Sequence, residues 1–238
     1  MRDSGSWSLR DWLAADGLDP EPLVWHPGAF RLPAGSKPGK SLAFLTGQYH
    51  VQEEVSLLPV TLLGPRRGER ILDLCAAPGG KTALIAALAD GRLDLHANDR
   101  SRRRCLRMRA LLDTLGVTAR IRTGPGERLP ARELGTFDRV LVDAPCSGEG
   151  RFRINDDQSH ATWSKKVVRR LASLQKSLLH AAIAAVRPGG VIVYSTCTLG
   201  RDENEAVITR ALKRFGDGPT GIELDAVTTS IPKGLPLL

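Results

Sequence analysis

Cysteine, long apolar runs and internal repeats are all scarce in this sequence. Its 238 residues include four cysteines, which form no Cys-x-x-Cys pair and no zinc-binding spacing with the five histidines. No stretch resembles a signal peptide, and no apolar run approaches the ~20 residues that a bilayer span needs. These absences predict a cytoplasmic protein with reduced cysteines, no bound metal and no membrane segment.

Acidic residues are fewer than basic ones. Thirty-four Lys and Arg residues against twenty-six Asp and Glu residues leave a formal net charge of +8. Such a surplus favours a polyanionic partner, above all nucleic acid, although a solvated basic surface without a partner gives the same count.

Short apolar runs alternate with helical patterns from about Arg70 onward. The predicted strands are Arg70–Cys75, Leu93–Asn98, Ala119–Thr123, Asp138–Asp143 and Val191–Tyr194. The predicted helices are Thr82–Ala89, Ser101–Leu115, Val167–Val186 and Asp202–Phe215, with Pro188-Gly189-Gly190 ending the third. This alternation predicts a doubly wound, mostly parallel, Rossmann-like α/β sheet.

Two regions stand apart from this alternation. Residues 1–69 are interrupted by prolines, which predicts a short N-terminal appendage packed on a catalytic domain that spans residues 70–238. After Phe215, only Gly221–Val227 reads as a further strand. We therefore expect the sheet to lack part of its C-terminal closure and the sequence to be a fragment.

A glycine-rich turn follows the first predicted strand. In a parallel sheet, ligands bind beyond the carboxyl ends of the strands. Small residues there let backbone N–H groups and a helix N-terminus approach a ligand, although a simple tight turn is the alternative. The turn consists of Cys75, Ala76, Ala77, Pro78, Gly79, Gly80 and Lys81.

Charged residues follow the second predicted strand. Asp99 suits the hydroxyl groups of a ribose, and as an aspartate before a helix it also suits an N-cap. The helix after it is rich in arginine, which fits either a solvated face or contacts with phosphates. These arginines are Arg100, Arg102, Arg103, Arg104, Arg107 and Arg109.

Two cysteines follow the last two predicted strands. Cys146 lies in the segment DAPCSGEG, which begins at Asp143, and Cys197 lies in the segment STC. Because neighbouring parallel strands end at one edge of a sheet, we expect the two thiols to lie close together. A small buried hydrophobe at Cys146 and a disulfide between the two cysteines are the alternatives.

The segments LDLCAAPGGKT, ANDRSRRR, FDRVLVDAPCSGEG and RPGGVIVYSTCTLGRDENEAV together resemble the Sun-type (Fmu-type) RNA cytosine-C5 methyltransferases. The resemblance extends from about Trp25 to about Leu212. It implies a class I methyltransferase sheet, S-adenosylmethionine as cofactor and RNA as substrate. Separately, we expect a monomer. Ribosomal RNA is favoured, and tRNA is the alternative.

The resemblance also implies a role for each matching residue. Cys197 would be the nucleophile, Cys146 would help to release the product, and Asp143 would hold the cytosine ring beside the cofactor. Residues Cys75 to Lys81 would line the cofactor, with Asp99 on its ribose and Arg104 nearby. Lys81 or neighbouring arginines would supply the positive field that a thiolate needs.

The chain departs from the family pattern in one place that bears on the cofactor. Family members often carry an acidic residue after the third strand that contacts the adenine, whereas Gly126 occupies that position and Glu127 follows it. Either Glu127 substitutes or the contact is absent.

The sequence alone is compatible with three other functions. An N-methyltransferase would need a DPP-type or NPP-type loop, a non-catalytic RNA-binding or assembly factor would keep the fold without turnover, and a thiol redox protein would cycle the cysteines through a disulfide.

Overall fold

The computed structural model describes residues 7–26, 28–153, 156–216 and 221–223. Before the main sheet, the chain forms three short helices, α1 (Leu9–Ala15), α2 (Leu42–Leu45) and α3 (Leu58–Leu63). A two-residue hairpin, β1 (Glu21–Pro22) with β2 (Phe30–Arg31), lies between α1 and α2. The prolines before the main sheet account for the irregularity of this region, because a proline inside a helix removes a backbone donor.

The rest of the described chain alternates strands and helices, as predicted. The strands are β3 (Arg70–Asp73), β4 (Asp94–Asp99), β5 (Arg120–Thr123), β6 (Phe137–Asp143) and β7 (Val186–Ser195), and the helices are α4 (Gly80–Leu88), α5 (Arg102–Thr114), α6 (Lys165–Ala185) and α7 (Glu205–Phe215). All five strands pair in parallel, in the order β5-β4-β3-β6-β7. The predicted doubly wound α/β fold is confirmed.

Helices cover both faces of the sheet. On one face, Ile71, Leu95 and Leu141 pack against Val60 of α3 and Ile85 of α4. On the other face, apolar residues of β3 and β6 pack against α6: Leu72, Leu74, Val140, Val142, Leu178 and Ala182. Successive residues of a strand point to opposite faces, so the continuous apolar runs in the sequence reflect burial on both sides.

The expectation that Pro188-Gly189-Gly190 stops a helix is wrong. Helix α6 ends at Ala185, and β7 begins at Val186, so the three residues lie inside the strand. The pairing shifts there, since Phe137 pairs with Val186 and Arg139 pairs with Val191. A β-bulge tolerates proline and glycine, because its residues do not form the regular ladder.

Two expectations about the ends of the chain stay predictions. The division at residue 69 is one of them, although α3 already contributes Val60 and Leu63 to the core under the sheet. The strand expected at 221–227 falls mostly outside the described residues, and 221–223 are not in a strand. Within the described ranges, the main sheet contains no antiparallel closing strand.

Neither a membrane span nor a metal cluster is found in the part of the chain that the structure describes. None of its helices combines the length and the apolar character that crossing a bilayer requires. No group of three or more His, Cys, Asp or Glu side chains in those residues is placed to hold a metal ion.

Candidate active site

The turn after β3 lies at the carboxyl edge of the sheet, in the middle of the strand order. Ala76 N donates to Asn98 O at 2.8 Å, and the Asn98 side chain donates to Leu74 O at 3.0 Å, so the turn is tied to β4. Gly79 has φ of 111°, and a Cβ there would lie 3.0 Å from Met108 Cγ. Glycine is therefore required at this position, by backbone conformation and by space.

Helix α4 begins immediately after this turn and has no side-chain cap. Its first N–H groups have no partner within the helix and point toward the carboxyl edge of the sheet. Such a helix N-terminus suits an anionic group of a ligand, here reached over the small residues Ala76 and Ala77.

Asp99 ends β4 next to this turn and is almost fully buried. Its Oδ1 accepts from Ser101 N at 2.8 Å, and its Oδ2 lies 3.2 Å from Arg104 Nη1. Arg104 also donates to Ala77 O, which joins the two strand ends. The N-cap of α5 is Ser101, whose hydroxyl accepts from Arg104 N, so Asp99 is not the helix cap.

Asp143 ends β6 and is held from two sides. Lys81 Nζ donates to Asp143 Oδ2 at 2.8 Å, and Ser195 Oγ donates to Oδ1 at 2.9 Å. Lys81 comes from α4 and Ser195 from β7, so three elements meet at this carboxylate. The structure thus brings Lys81 to Asp143.

The two predicted cysteines lie together, as their strand positions indicated. Cys146 Sγ and Cys197 Sγ are 2.9 Å apart, and Cys197 N donates to Cys146 Sγ at 3.2 Å. Both thiols are free, and Cys197 is exposed while Cys146 is half-buried. The contact joins the segment after β6 to the segment after β7.

The environment makes these two thiols differ in acidity. The hydrogen bond from Cys146 lowers the pKa of Cys197 to about 6, with the charge of Arg151 acting in the same direction and burial opposing both. The same hydrogen bond and burial raise the pKa of Cys146 far above its ordinary value. Cys197 is therefore the sulfur that carries thiolate character near neutral pH, as a nucleophile requires.

A buried pair of polar side chains fixes the loop around Cys146. Gln175 Nε2 donates to Pro145 O at 2.9 Å and to Glu203 Oε1 at 2.8 Å, and Ser147 N donates to the same carboxylate oxygen at 3.0 Å. Gln175 and Glu203 are both completely buried. The backbone is thus anchored on each side of Cys146.

Cys75, by contrast, is not placed as a nucleophile. Burial, together with nearby carboxylates, raises the pKa of its thiol far above the ordinary value. Its position in the turn after β3 leaves it the lining role that the resemblance implies.

Gly126 lies where the resemblance expects an acidic residue. A Cβ at this position would lie 2.8 Å from Leu178 Cδ2 and 3.2 Å from Leu74 Cγ, so the site has no room for a carboxylate side chain. Glu127, the alternative, forms an ion pair with Arg100 instead.

Sequence reasoning did not single out Asp73, Arg151, Gln175 or Glu203. Asp73 is fully buried in β3, where burial raises the pKa of its carboxyl to about 7 against the opposing hydrogen bond from Thr82. In the sequence, Asp73 is marked only as an acidic residue within an apolar run. Gln175 likewise occupies a core position of α6, which a search for buried polar residues in the helical pattern would have found.

Comparison with known proteins identifies the family. A profile of the 16S rRNA methyltransferase RsmB/F family matches residues 60–229. The ribosomal RNA small subunit methyltransferase F of Aeromonas hydrophila is 41% identical over 208 residues, which cover 84% of this chain and 44% of that protein. The mouse 28S rRNA (cytosine-C(5))-methyltransferase is 40% identical and matches 90% of this chain and 28% of its own.

Solved structures agree with this assignment. A methyltransferase homolog from Pyrococcus horikoshii has a TM-score of 0.75 and 31% identity, covering 90% of this chain and 72% of its own. NSun6 from the same organism, solved with SFG, has a TM-score of 0.64 and 30% identity, covering 75% and 46%. The chain spans less than half the length of the bacterial relatives it matches. By the extent of the family match, this chain belongs to the RsmB/F methyltransferase family.

Proposed function

We propose that this protein transfers a methyl group from S-adenosylmethionine to carbon 5 of cytosine in RNA, and that its substrate is ribosomal RNA. The observation that carries the proposal is the contact between Cys146 and Cys197 at the ends of two neighbouring strands. Relatives named as rRNA methyltransferases support ribosomal RNA over tRNA.

The reaction needs a nucleophile because carbon 5 of cytosine is itself weakly nucleophilic. In this proposal, the Cys197 thiolate adds to carbon 6, and the electrons of the ring double bond then make carbon 5 reactive. The lowered pKa of Cys197 keeps its sulfur largely ionised at neutral pH. A base stacked in a helix is shielded on its ring face, so the target must be unstacked or single-stranded.

The carboxyl edge of the sheet fits S-adenosylmethionine, which would supply an electrophilic methyl group. Asp99 is a buried carboxylate in place for ribose hydroxyls, and the uncapped N-terminus of α4 suits the carboxylate of the methionine part. The remaining residues proposed to line the cofactor are Cys75, Ala76, Ala77, Pro78, Gly79, Gly80, Lys81, Arg104 and Asp143.

Asp143 and Lys81 would act on the ring. Asp143 would hold the cytosine ring as negative charge gathers at N3, and Lys81 Nζ, 2.8 Å from Asp143 Oδ2, is the neighbouring hydrogen-bond donor. Ser195 fixes the carboxyl group from the other side.

Product release would require Cys146. After methyl transfer, solvent water takes the proton from carbon 5, and the electrons of that C–H bond restore the ring double bond. The bond between Cys197 Sγ and carbon 6 breaks, and its electron pair leaves on the sulfur. The Cys146 thiol donates a hydrogen bond to the departing sulfur, which stabilises it as a thiolate in the same way as in the free protein.

Three further expectations belong to this proposal. Free thiols in contact require a reducing compartment, which supports a cytoplasmic location. The chain would act as a monomer. Residues 70–238 would form its catalytic domain, with 1–69 packed on it.

A mechanism-based trap tests the proposal. An RNA with 5-fluorocytidine at the target position should form an adduct that survives denaturation, because fluorine at carbon 5 cannot leave as a proton does. The adduct should require S-adenosylmethionine and disappear in Cys197→Ala. Adduct formation that persists in Cys197→Ala would overturn the assignment of the nucleophile, and an N-methyltransferase or a non-catalytic RNA-binding factor would form none.

A further inference from the structure

We propose that single-stranded RNA next to the target nucleotide binds to a basic and aromatic surface formed by residues 149–153 and 156–170. This surface, called the basic flank below, rests on the proposed function and extends it from the reacting base to its neighbours. Its members are Arg151, Phe152, Arg153, His160, Trp163, Lys165, Lys166, Arg169 and Arg170.

The basic flank begins at the nucleophile. Gly150 N donates to Cys197 O at 3.0 Å, and Arg151 is close enough for its charge to act on the Cys197 thiol. Trp163 Nε1 donates to Glu149 Oε1 at 2.9 Å, which fastens the start of α6 to the same loop. This surface is therefore adjacent to a cytosine held at Cys197, within reach of its neighbouring nucleotides.

The flank carries six Lys and Arg residues against three acidic residues, Glu149, Asp156 and Asp157. Its six Lys and Arg residues are all exposed, and none of them forms an ion pair with another described residue. Glu149 accepts a hydrogen bond from the indole of Trp163. Positive side chains arranged in this way suit successive phosphates.

The position of the charges works against local stability. Lys165, Lys166, Arg169 and Arg170 lie in the first two turns of α6, which carry no acidic residue in the first turn. The helix dipole favours negative charge at this end, so each cation there is unfavourable in the free protein. A polyanionic ligand would reverse this effect.

Aromatic side chains supply the second element of a single-strand site. Phe152 and Trp163 are 37% and 39% exposed, so part of each ring is open to solvent. The rings of Phe152 and His160 lie 5.9 Å apart, centroid to centroid. Exposed rings between cations provide stacking positions for unpaired bases.

The arginines of α5 form a second concentrated basic surface, and they offer a matched control. Helix α5 packs on β4 and β5, at the opposite edge of the sheet from β7 and Cys197. Two arginines of this region, Arg100 before the helix and Arg104 within it, already form ion pairs with Glu127 and Asp99.

The test compares two triple charge reversals of the full chain. Lys165→Glu/Lys166→Glu/Arg169→Glu changes the flank, and Arg103→Glu/Arg107→Glu/Arg109→Glu changes α5. Affinity for a fluorescent single-stranded oligoribonucleotide with one central cytidine is measured by anisotropy between 50 and 200 mM salt. We expect the flank variant to lose at least about tenfold in affinity and the salt slope to fall by about 2, against less than threefold for α5.

A second comparison separates stacking from loop anchoring. Trp163→Ala should weaken RNA binding by about tenfold, whereas Trp163→Phe, which loses the bond to Glu149 but keeps a ring, should stay near the wild-type affinity. Equal loss in both variants would assign Trp163 a structural role only.

The outcomes also distinguish failure of the proposed RNA surface from failure of the proposed reaction. Flank and α5 variants that bind RNA equally well would overturn the basic flank, whatever the adduct trap shows. A flank-dependent affinity in a protein that forms no 5-fluorocytidine adduct would support the surface and contradict the proposed chemistry.

Discussion

At the scale of single residues, the contact between Cys146 and Cys197 gives two identical side chains different roles, one as a thiolate and one as a hydrogen-bond donor. One sulfur is exposed, lies near Arg151 and accepts a hydrogen bond, which lowers the pKa of Cys197. The other is half-buried and donates that bond, which keeps Cys146 protonated. A thiolate and a thiol in contact provide a nucleophile and a donor for its departure.

This arrangement predicts the pH dependence of alkylation at Cys197. Because the pKa of Cys197 is about 6, its reaction with iodoacetamide should stay fast at pH 7 and fall as the pH drops below 6. Cys146→Ala removes the largest cause of the lowered pKa, so the profile should shift toward an ordinary thiol and the rate at pH 7 should fall about tenfold. Peptide mapping by mass spectrometry measures the rates.

The buried Cys105 supplies the control for this experiment. Cys105→Ala should leave the profile of Cys197 unchanged. A Cys146→Ala protein with the same profile as the wild type would show that the neighbouring thiol does not set the acidity of Cys197.

The same substitution should trap the reaction on unmodified RNA. Without the thiol at position 146, the Cys197 sulfur can still attack carbon 6, but it leaves without a hydrogen-bond donor 2.9 Å away. Cys146→Ala should therefore accumulate a covalent RNA–protein complex, visible on a denaturing gel, while Cys105→Ala should not. Normal turnover by Cys146→Ala would remove its role in release.

Substitution of Asp99 should cause a specific loss of cofactor affinity. If its carboxylate meets the ribose hydroxyls, Asp99→Ala should weaken S-adenosylmethionine binding by about 1–3 kcal/mol, measured by calorimetry. Asp113→Ala, which removes an exposed carboxylate from α5, is the control. An unchanged dissociation constant for Asp99→Ala would limit Asp99 to its contacts with Ser101 and Arg104.

At the scale of elements, the bulge between β6 and β7 sets the register in which the two strands end side by side. After the shift, Asp143 pairs with Ser195, so the two cysteine segments leave the sheet side by side. Gly190 makes the bulge possible, since a Cβ there would lie 2.7 Å from Asp138 O and 2.5 Å from Val186 Cγ2.

Gly190→Ala should therefore destabilise the fold. The added methyl group meets backbone in a packed strand pair, and the free energy of unfolding should fall by about 1–3 kcal/mol. Gly39→Ala, whose Cβ would meet only an ordinary contact at 3.8 Å, should be close to neutral. Urea denaturation compares the two, and equal stability would contradict the close approach at Gly190.

At the scale of the whole molecule, the sequence predicted the sheet and the meeting of the two cysteines. Buried parallel strands are recognisable as apolar runs, and their carboxyl ends share one edge, which is why Cys146 and Cys197 could be placed together without coordinates. The prediction that Pro188-Gly189-Gly190 ends a helix was wrong because these residues form a bulge opposite Asp138, which is distant in sequence. Gln175 and Glu203 were missed because their role arises only when α6 packs on the Cys146 loop.

The same limit explains why the partners of Lys81 and Asp73 were not predicted. The sequence placed Lys81 in the site as a source of positive charge, and the structure shows its direct partner to be Asp143. Asp73 lies in the strand where the sequence placed it, but its buried hydrogen bond from Thr82 of α4 was not predicted. Partners across a fold are set by packing, which local patterns do not encode.

The most direct test is methyl transfer from labelled S-adenosylmethionine to ribosomal RNA and tRNA that lack modifications, followed by nucleoside analysis. We expect label in 5-methylcytosine, predominantly in ribosomal RNA, and its loss in Cys197→Ala. Label in another nucleoside, or 5-methylcytosine still formed by Cys197→Ala, would contradict the proposed function.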